Sequence, residues 1–274
     1  DDEMTQIRAG LHNHTTMCDG KNSAREMAEA AIAAGFTDFG FSGHGHTPFD
    51  LSYSLKDEAG YIREIRALQK EYAGRIRLYC GLEQDYFAPT ARREAYDYII
   101  GSVHYWRDEA AGRYWAVDGS PETVADCRDV LFGGDARKMV EAYYALVADN
   151  CEKYRPDIAG HLDVVGKNNR DMRFFDENAA WYLDAAFAAI DRVCATGAVI
   201  ELNTNGWPKR GMCYPAPRLL EYIRRAGGKM TINADAHRVE NVALHFDWAV
   251  EALKRAGFGG VWVWENGRFV FQEW

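Results

Sequence analysis

The chain has 274 residues, of which 47% are hydrophobic and 13% are aromatic. This composition excludes intrinsic disorder, because a chain this hydrophobic can bury a sizeable core. The length suits a single large α/β barrel. Forty-one acidic against 32 basic residues give a net charge of −9, which disfavours nucleic acid and anionic membranes as partners but permits a local basic pocket.

Three features predict where the protein works. No run of about 18 apolar residues occurs, so no transmembrane helix is expected. The start, DDEMTQIRAG, lacks the basic and apolar segments of a signal peptide; Met4 either begins the native chain behind three added residues or lies within native sequence. Six scattered cysteines form no CxxC pair, which favours reduced thiols over a disulfide framework. We therefore predict a cytoplasmic globular protein.

Short apolar or β-branched runs alternate with longer amphipathic stretches along the chain. The predicted strands span residues 8–13, 38–43, 77–83, 97–103, 157–162, 198–203 and 229–234. The predicted helices span residues 23–34, 57–73, 137–154, 177–196, 217–226 and 241–256. The first helix opens with Ser23 and Glu26 at capping-box spacing and ends at Gly35. This alternation predicts an α/β fold with a parallel sheet, followed by a hairpin that turns at residues 265–267.

Residues 106–134 interrupt the alternation and contain four glycines and a proline. Long insertions in compact domains usually serve as lids or binding loops. We therefore predict that residues 1–274 form one domain, with this insertion at the rim of its functional site.

The ends of the predicted strands carry the residues of chemical interest. Each strand runs into a His, Asp or Glu, in chain order His12 and His14, His44, Glu83, His104, His161, Glu201, and Asp235 with His237. In α/β barrels the carboxyl ends of the strands converge on one rim, where active residues lie. The pattern predicts that these side chains form one site.

Imidazole and carboxylate groups together are ligands of zinc, manganese and iron. His12 and His14 are two apart on a strand, so they point to one face and can bind the same ion, and Asp235 and His237 repeat that spacing. Glu83 can bridge two ions through its two oxygens. About nine ligands exceed the four that one zinc ion takes, so a site of two or three divalent ions is predicted, a signature of phosphoester hydrolysis among other hydrolytic reactions.

Single histidines carry less information. One histidine near a strand end is more often a surface or core residue than a ligand. His46 either lines the pocket or is solvated, and His245, inside a helical stretch, is interpreted as structural. The concurrence of seven strand ends supports the metal hypothesis.

The residues resemble the PHP (polymerase and histidinol phosphatase) family, in particular its histidinol-phosphate phosphatase branch. The resemblance lies in the segments LHNHTTMCDG, FSGHGHTPF, GLEQDYF, DYIIGSVHYW, GHLDVVGK, IELNTNG and NADAHR, in this order. It implies a distorted (β/α)7 TIM-like barrel. It also implies three metal sites, with His12, His14, Glu83 and Asp235 at the first, Glu83, His104 and His161 at the second, and Asp19, His44 and His237 at the third.

The resemblance further implies a metal-dependent phosphomonoesterase of histidine biosynthesis, which hydrolyses L-histidinol phosphate through a hydroxide that bridges two metals. Glu83, Asp235 and His237 are the expected catalytic residues. The candidate substrate-binding residues are Lys167, Asn203, Arg238 and His46. The insertion, with Asp108, Glu109, Tyr114, Trp115 and Asp118, is expected to contact the leaving alcohol.

Alternative functions on the same scaffold are a phosphodiesterase or exonuclease, an amidohydrolase-like enzyme, and a metal-binding barrel without activity. An exonuclease would need a basic groove, which the net charge argues against. An amidohydrolase normally presents a bridging lysine where this chain has Glu83. The expected partner is a small phosphorylated substrate, not nucleic acid or a membrane; the oligomeric state is not indicated.

Overall fold

A computed structural model describes residues 6–274, so Met4 lies outside the described part of the chain. The strands are β1 (Ala9–Gly10), β2 (Asp38–His44), β3 (Arg77–Asp85), β4 (Tyr98–Ser102), β5 (Tyr105–Asp108), β6 (Arg113–Ala116), β7 (Ile158–Ala159), β8 (Val199–Asn203), β9 (Lys229–Asn233), β10 (Gly260–Glu265) and β11 (Arg268–Glu273). The helices are α1 (Ala24–Ala33), α2 (Glu58–Glu71), α3 (Pro121–Phe132), α4 (Ala136–Tyr154), α5 (Ala180–Ala195), α6 (Trp207–Arg210), α7 (Pro217–Arg225) and α8 (Phe246–Ala256).

Seven parallel strands form one sheet in the order β1-β2-β3-β4-β7-β8-β9. The sheet curls until its first and last strands meet beyond their ends, where Asn13 and Ala236 form a parallel bridge and the His14 amide donates to the Ala236 carbonyl at 2.8 Å. This nearly closed barrel confirms the predicted distorted TIM-like fold. The strands of this sheet come from residues 9–233, and the single domain of residues 1–274 stays a prediction.

Strands β1 and β7 have two residues each and are much shorter than the sequence predicts, and the reason is visible at β1. Beyond Gly10 the backbone bonds to side chains instead of continuing the ladder. The Leu11 amide donates to Asn233 Oδ1 at 3.0 Å, and the Asn13 amide donates to Ser42 Oγ at 3.0 Å. Buried amides need partners, and these side chains supply them while the backbone turns out of regular strand geometry. The barrel is therefore distorted where its first ligands begin.

The predicted signals at the start of the chain form as expected. The Ser23 side chain caps α1 and Glu26 completes the capping box. Gly35 follows the helix with a φ of 86°, a conformation that glycine adopts without steric cost. The other predicted helices form within a few residues of their expected bounds, apart from 241–256, of which only α8 is α-helical.

The insertion differs from its prediction as a loop or lid. Residues 106–134 contain most of an antiparallel hairpin, β5–β6, and the helix α3. Trp106 and Trp115 are 1% and 3% exposed, and the Trp106 indole donates to the Met139 carbonyl at 3.0 Å. Trp106 and Trp115 thus pack the hairpin β5–β6 into the core. This part of the insertion is regular, packed structure and not a loop or lid.

The C-terminal hairpin β10–β11 turns at residues 265–267, as predicted. It closes the end of the barrel opposite the ligands. Trp264 lies 5.8 Å from Tyr79 and 5.7 Å from Tyr98 between ring centroids. The Asn266 amide donates to Asp38 Oδ2 at 3.0 Å. The hairpin is therefore tied to the amino end of β2, away from the ligands at the strands' carboxyl ends.

Among residues 6–274, no helix has both the length and the apolar character needed to cross a bilayer. The cysteines are all free: Cys18, Cys80, Cys127, Cys151, Cys194 and Cys213.

Candidate metal centre and active site

The structure brings all nine predicted ligands to the carboxyl ends of the seven parallel strands. They are His12, His14, Asp19, His44, Glu83, His104, His161, Asp235 and His237. Seven of these line a cavity of about 560 Å³, and His12 and His14 lie beneath it, each 0% exposed. The parallel arrangement explains the convergence, because every strand delivers its last residues to the same rim.

Glu83 lies at the centre of this group and is 1% exposed. Its Oε1 lies 2.9 Å from His12 Nε2, 3.3 Å from His14 Nε2 and 3.2 Å from His44 Nδ1. Its Oε2 lies 3.1 Å from His161 Nε2 and 3.2 Å from His104 Nε2. The two oxygens therefore face two sets of imidazoles, the arrangement that a bridging carboxylate requires.

The ligand atoms fall into overlapping groups in which all donor atoms lie within 4.8 Å of one another. The first group consists of His12, His14, Glu83 and Asp235, the set expected for the first metal. A second group joins His14 to Asp19, His44 and His237, the set expected for the third. The remaining group contains Glu83 and His104, with His44 where the family pattern has His161.

Asp235 belongs to the first of these groups and has an uncommon backbone conformation. Its φ is 51°, in the left-handed region that non-glycine residues seldom occupy. Its Oδ1 lies 3.2 Å from His12 Nε2 and 3.0 Å from His14 Nε2, and its carbonyl accepts from His237 Nδ1 at 2.9 Å. Such strain is found where function requires a fixed side-chain direction, here toward both histidines.

Several buried ligand atoms make no well-oriented hydrogen bond among the described residues, although some lie 3.2–3.4 Å from another ligand or supporting carboxylate. These are Asp19 Oδ1 and the Nδ1 atoms of His44, His104 and His161. Buried polar atoms are normally hydrogen-bonded, and an unpaired one calls for an ion or another partner. Imidazole nitrogens and carboxylate oxygens are the donors that zinc, manganese and iron accept, so the residues present fit such ions.

The electrostatics keep the carboxylates ionised. Burial opposes the charged form of Glu83, but His12, His44 and His104 outweigh it and hold the pKa of Glu83 well below its usual value. The pKa of Asp235 is likewise lowered, against burial, by His12 and His14. Burial alone would lower the pKa of His12, but nearby carboxylates, first Asp235, raise it well above normal. Cations and protons therefore compete for the same atoms.

Two carboxylates lie behind the ligands; Glu201 was expected at a strand end but without an assigned role, and Asp85 was not predicted. Glu201, 0% exposed, accepts from His12 Nδ1 at 2.8 Å and from the His161 amide at 2.9 Å. Asp85 accepts from the His104 amide at 2.8 Å. Asp85 follows Glu83 by two residues on β3, and this same-face spacing was a signal for it. Nothing in one sequence links Glu201 to His12, 189 residues away.

The predicted substrate-binding residues divide into two pairs. Lys167 and Arg238 line the cavity. Asn203 is 0% exposed and lies below it, donating from Nδ2 to Asp235 Oδ2 at 3.1 Å, so it orients a ligand. His46 is exposed, donates from Nδ1 to the Leu55 carbonyl at 2.8 Å and is not part of the cavity lining. Asn203 and His46 therefore lie outside the lining of the cavity.

Other cavity residues were not predicted from the sequence. Lys209, Tyr214 and Asn205 reach the cavity from the segment after β8, and Tyr53 and Asp50 reach it from the segment after β2. Loop residues of this kind follow no periodic pattern, so only the folded chain identifies them.

From the predicted insertion, only Ala116 and Asp118 line the cavity. The Asp118 carbonyl accepts from Lys167 Nζ at 2.7 Å, and burial lowers the pKa of Lys167. The Glu109 side chain is 87% exposed, Trp115 is in the core, and Tyr114 stacks on Phe49 with ring centroids 3.7 Å apart. Of the predicted insertion, only the residues at and just after the end of β6 therefore remain candidates for contact with the leaving alcohol.

Comparison with known proteins agrees with this geometry. A model of the PHP domain matches residues 10–205. A probable histidinol-phosphatase of Deinococcus radiodurans is 32% identical over 90% of this chain and 92% of its own length. The histidinol-phosphatase of Bacillus subtilis is 27% identical over 88% of this chain and 97% of its own.

A solved structure shares the fold. The histidinol phosphate phosphatase of Lactococcus lactis, complexed with zinc, L-histidinol and phosphate, superposes with a TM-score of 0.73 at 21% identity. The superposition covers 97% of this chain and all of that one.

Proposed function

Because this chain belongs to the PHP family, we propose that it is a metal-dependent phosphatase that hydrolyses L-histidinol phosphate to L-histidinol and phosphate in histidine biosynthesis. The single observation that carries the proposal is the convergence of nine imidazole and carboxylate ligands under a cavity with three cationic side chains on its wall, Lys167, Lys209 and Arg238. The choice of substrate comes from the relatives of Deinococcus radiodurans and Bacillus subtilis, which match this chain nearly end to end.

The metals of this proposal are two or three divalent ions, held by the nine ligands named above. Such ions lower the pKa of a coordinated water toward neutrality and neutralise charge on phosphoryl oxygens. Zinc is the first candidate, since zinc is present in the Lactococcus lactis structure, and manganese and iron suit the same ligands.

The chain's own residues prepare the site for an anion. Glu83 and Asp235 stay ionised because of the histidines around them, so they hold cations and orient His12 and His14. Asn203 holds the far oxygen of Asp235 at 3.1 Å. Ligands fixed in this way need no rearrangement during the reaction, the form of electrostatic stabilisation that contributes most to many enzymes.

The phosphoryl group is bound by the cations of the cavity wall. Lys167 is held at the Asp118 carbonyl at 2.7 Å, while Lys209 and Arg238 are exposed at the rim. Cationic side chains that meet a phosphoryl oxygen form charge-assisted hydrogen bonds. The three side chains come from three segments of the chain, so they can surround the phosphate from more than one side.

The leaving alcohol of histidinol phosphate carries an ammonium and an imidazole, which require polar partners. Asp118 and Asp50 are the cavity carboxylates outside the ligand set. Asp50 is already bound to the Tyr105 hydroxyl at 2.7 Å and to the Ser52 hydroxyl at 2.5 Å. Asp118 is therefore the proposed partner of the ammonium.

The free cysteines support a reducing compartment, and the proposed location is the cytoplasm.

The proposal is tested by phosphate release from the purified chain supplied with zinc, manganese or iron. The substrates are L-histidinol phosphate and a panel of sugar phosphates, nucleotides, p-nitrophenyl phosphate and a phosphodiester. We expect the highest kcat/KM for histidinol phosphate. A preference for the diester or for p-nitrophenyl phosphate would overturn the substrate, and no hydrolysis with any metal would overturn the activity.

A further inference from the structure

Tyr214 is held rigidly at the wall of the cavity. It is 3% exposed and lies in the segment between α6 and α7. Its amide donates to the Asn203 carbonyl at 3.0 Å, and the Asn203 amide donates to the Tyr214 carbonyl at 2.7 Å. The Asn203 side chain in turn binds Asp235. The backbone of Tyr214 is therefore fixed to the residue that orients a metal ligand.

The ring of Tyr214 is also held on its faces. The guanidinium carbon of Arg210 lies 4.1 Å from the ring centroid. On another side the ring contacts Gly206, where a Cβ would lie 2.9 Å from ring carbons Cδ2 and Cε2. The absence of a side chain at Gly206 is thus a requirement of this ring position.

Arg210 is itself anchored between two segments. Its side chain is 5% exposed, and Nη2 donates to both oxygens of Asp163 at 2.9 Å and to the Cys213 carbonyl at 2.5 Å. Asp163 also accepts from the Ala216 amide at 2.9 Å. All of these bonds are made by Nη2, since Nε and Nη1 of Arg210 are buried without a hydrogen-bond partner among the described residues. The ion pair joins the segment after β7, which carries His161 and Lys167, to the segment of Tyr214.

In contrast to this fixed ring, the Tyr214 hydroxyl is buried without a hydrogen-bond partner among residues 6–274. Other tyrosines of the cavity are paired: the Tyr105 hydroxyl donates to Asp50, and the Tyr53 hydroxyl bonds to Thr47 Oγ1 at 3.3 Å. An unmade hydrogen bond of a buried hydroxyl is unfavourable. A ring oriented by so many contacts, with only its polar end unsatisfied, indicates that the partner is a bound molecule.

We infer that the Tyr214 hydroxyl donates a hydrogen bond to the phosphoryl group of the bound substrate, and that Arg210, fixed by Asp163, positions the ring for it. The inference rests on the proposed phosphatase function. The phosphoryl group is the matching partner for two reasons. The Tyr214 ring lies 6.3 Å from the ring of the ligand His161, and phosphoryl oxygens are anionic acceptors that bind a neutral donor strongly. Burial raises the pKa of Tyr214, so the hydroxyl keeps its proton.

The test replaces the hydroxyl alone, with Tyr214→Phe. Because this hydroxyl has no hydrogen-bond partner in the described part of the chain, the melting temperature and metal content should not fall. Phosphate affinity, measured by calorimetry on the zinc-loaded protein, should weaken by about 10- to 100-fold, the range of a hydrogen bond to a charged group. The kcat/KM values for histidinol phosphate and p-nitrophenyl phosphate should fall together, because both share the phosphoryl group.

The matched control is Tyr96→Phe, whose hydroxyl donates to Glu58 Oε1 at 2.9 Å outside the cavity. It should lower the melting temperature slightly and leave phosphate affinity unchanged, the reverse of Tyr214→Phe. Unchanged phosphate affinity in Tyr214→Phe would overturn the inference, as would a loss confined to histidinol phosphate, which would place the hydroxyl at the alcohol. A wild-type protein that binds phosphate but hydrolyses no ester would overturn the proposed function while leaving this affinity test intact.

The positioning role of Arg210 is tested by Arg210→Lys alone and combined with Tyr214→Phe. Lysine keeps the charge beside Asp163 but loses the planar group above the ring. If Arg210 acts through Tyr214, Arg210→Lys weakens phosphate binding in the wild type and adds little in the Tyr214→Phe background. Equal and additive losses in both backgrounds would overturn that role.

Discussion

His12 and Glu201 share a hydrogen bond of 2.8 Å between Nδ1 and Oε2, and both side chains are 0% exposed. The opposite nitrogen of the same ring, Nε2, faces Glu83 at 2.9 Å. One edge of the imidazole is therefore occupied by a supporting carboxylate while the other faces the ligand group. Histidine ligands of metals are commonly oriented in this way, and the supporting carboxylate raises their basicity.

This relationship predicts that Glu201→Gln weakens metal binding without removing a ligand. Loss of such a supporting group typically lowers metal affinity or activity about 10- to 100-fold. The affinity is measured by competition with a chromogenic zinc chelator. The control is Glu177→Gln, a partly buried glutamate that accepts from Asn169 instead. Equal affinities in the wild type and Glu201→Gln would contradict the supporting role.

Metal removal gives a second prediction. Gently purified protein should contain two or three divalent first-row ions per chain, and prolonged dialysis against a chelator should abolish activity and lower the melting temperature, since an ion that binds only the folded state stabilises it. Elemental analysis measures the ions, and zinc, manganese or iron added back should restore turnover. At most one ion, with activity insensitive to chelators, would contradict the predicted centre.

The alanine variants of Glu83 and His245 should differ sharply in catalytic activity. Glu83→Ala removes the carboxylate that faces both imidazole sets, so turnover should fall below detection. His245 stacks on Trp248 with ring centroids 4.5 Å apart and is not part of the cavity lining, so His245→Ala should keep kcat and lose less than about 1 kcal/mol of stability. Similar activity losses in two folded variants would contradict the ligand assignment.

Specificity for the alcohol should depend on Asp118. Replacing all of 106–134 would remove the buried Trp106 and Trp115, so a point substitution is the appropriate test. Asp118→Asn should lower kcat/KM for histidinol phosphate, because the ammonium of this substrate loses its partner. The loss should exceed any loss with p-nitrophenyl phosphate by more than about tenfold, since leaving a buried polar group unpaired strongly reduces transition-state binding. Glu109→Gln, at the exposed hairpin turn, is the control. Parallel losses on both substrates would exclude Asp118 as the selective group.

Acid stability should depend on Asp38 at the other end of the barrel. Burial opposes its charge, but Arg77 at 2.8 Å and Tyr79 at 2.6 Å outweigh it, and the pKa of Asp38 is lowered. Its stabilisation is therefore present above the unfolded pKa of about 3.9 and is lost as the pH falls through the lower folded pKa.

Asp38→Asn should consequently destabilise the protein by about 2 kcal/mol at pH 7, and by progressively less below about pH 4. Urea unfolding of wild type and variant at pH 7 and pH 3 measures both differences. The exposed Asp184→Asn serves as the control. A difference between wild type and Asp38→Asn that stays constant down to pH 3 would contradict the lowered pKa.

Much of the architecture and of the ligand set was predictable from the order of residues. Hydrophobic runs of strand length that end in His, Asp or Glu, separated by helical periodicity, already determined a parallel barrel with its chemistry at one rim. The ligands follow because a residue that directly succeeds a parallel strand can lie only at that rim, whatever the exact register. The position of Glu83 at the centre of the predicted ligands and the capped helix α1 likewise follow from local or topological information.

Tertiary structure alone decided the features that depend on side-chain direction and on contacts between distant segments. His46 and His44 are two residues apart, yet only His44 faces the cavity, because the chain turns away at the end of β2. Asn203 was a candidate substrate-binding residue, and in the folded chain it lies below the cavity and donates to Asp235. Glu201 meets His12 only because the sheet curls and brings β8 near β1. The unsatisfied hydroxyl of Tyr214 is likewise defined by what surrounds it. Such contacts arise when distant segments pack together, and no local pattern of residues encodes them.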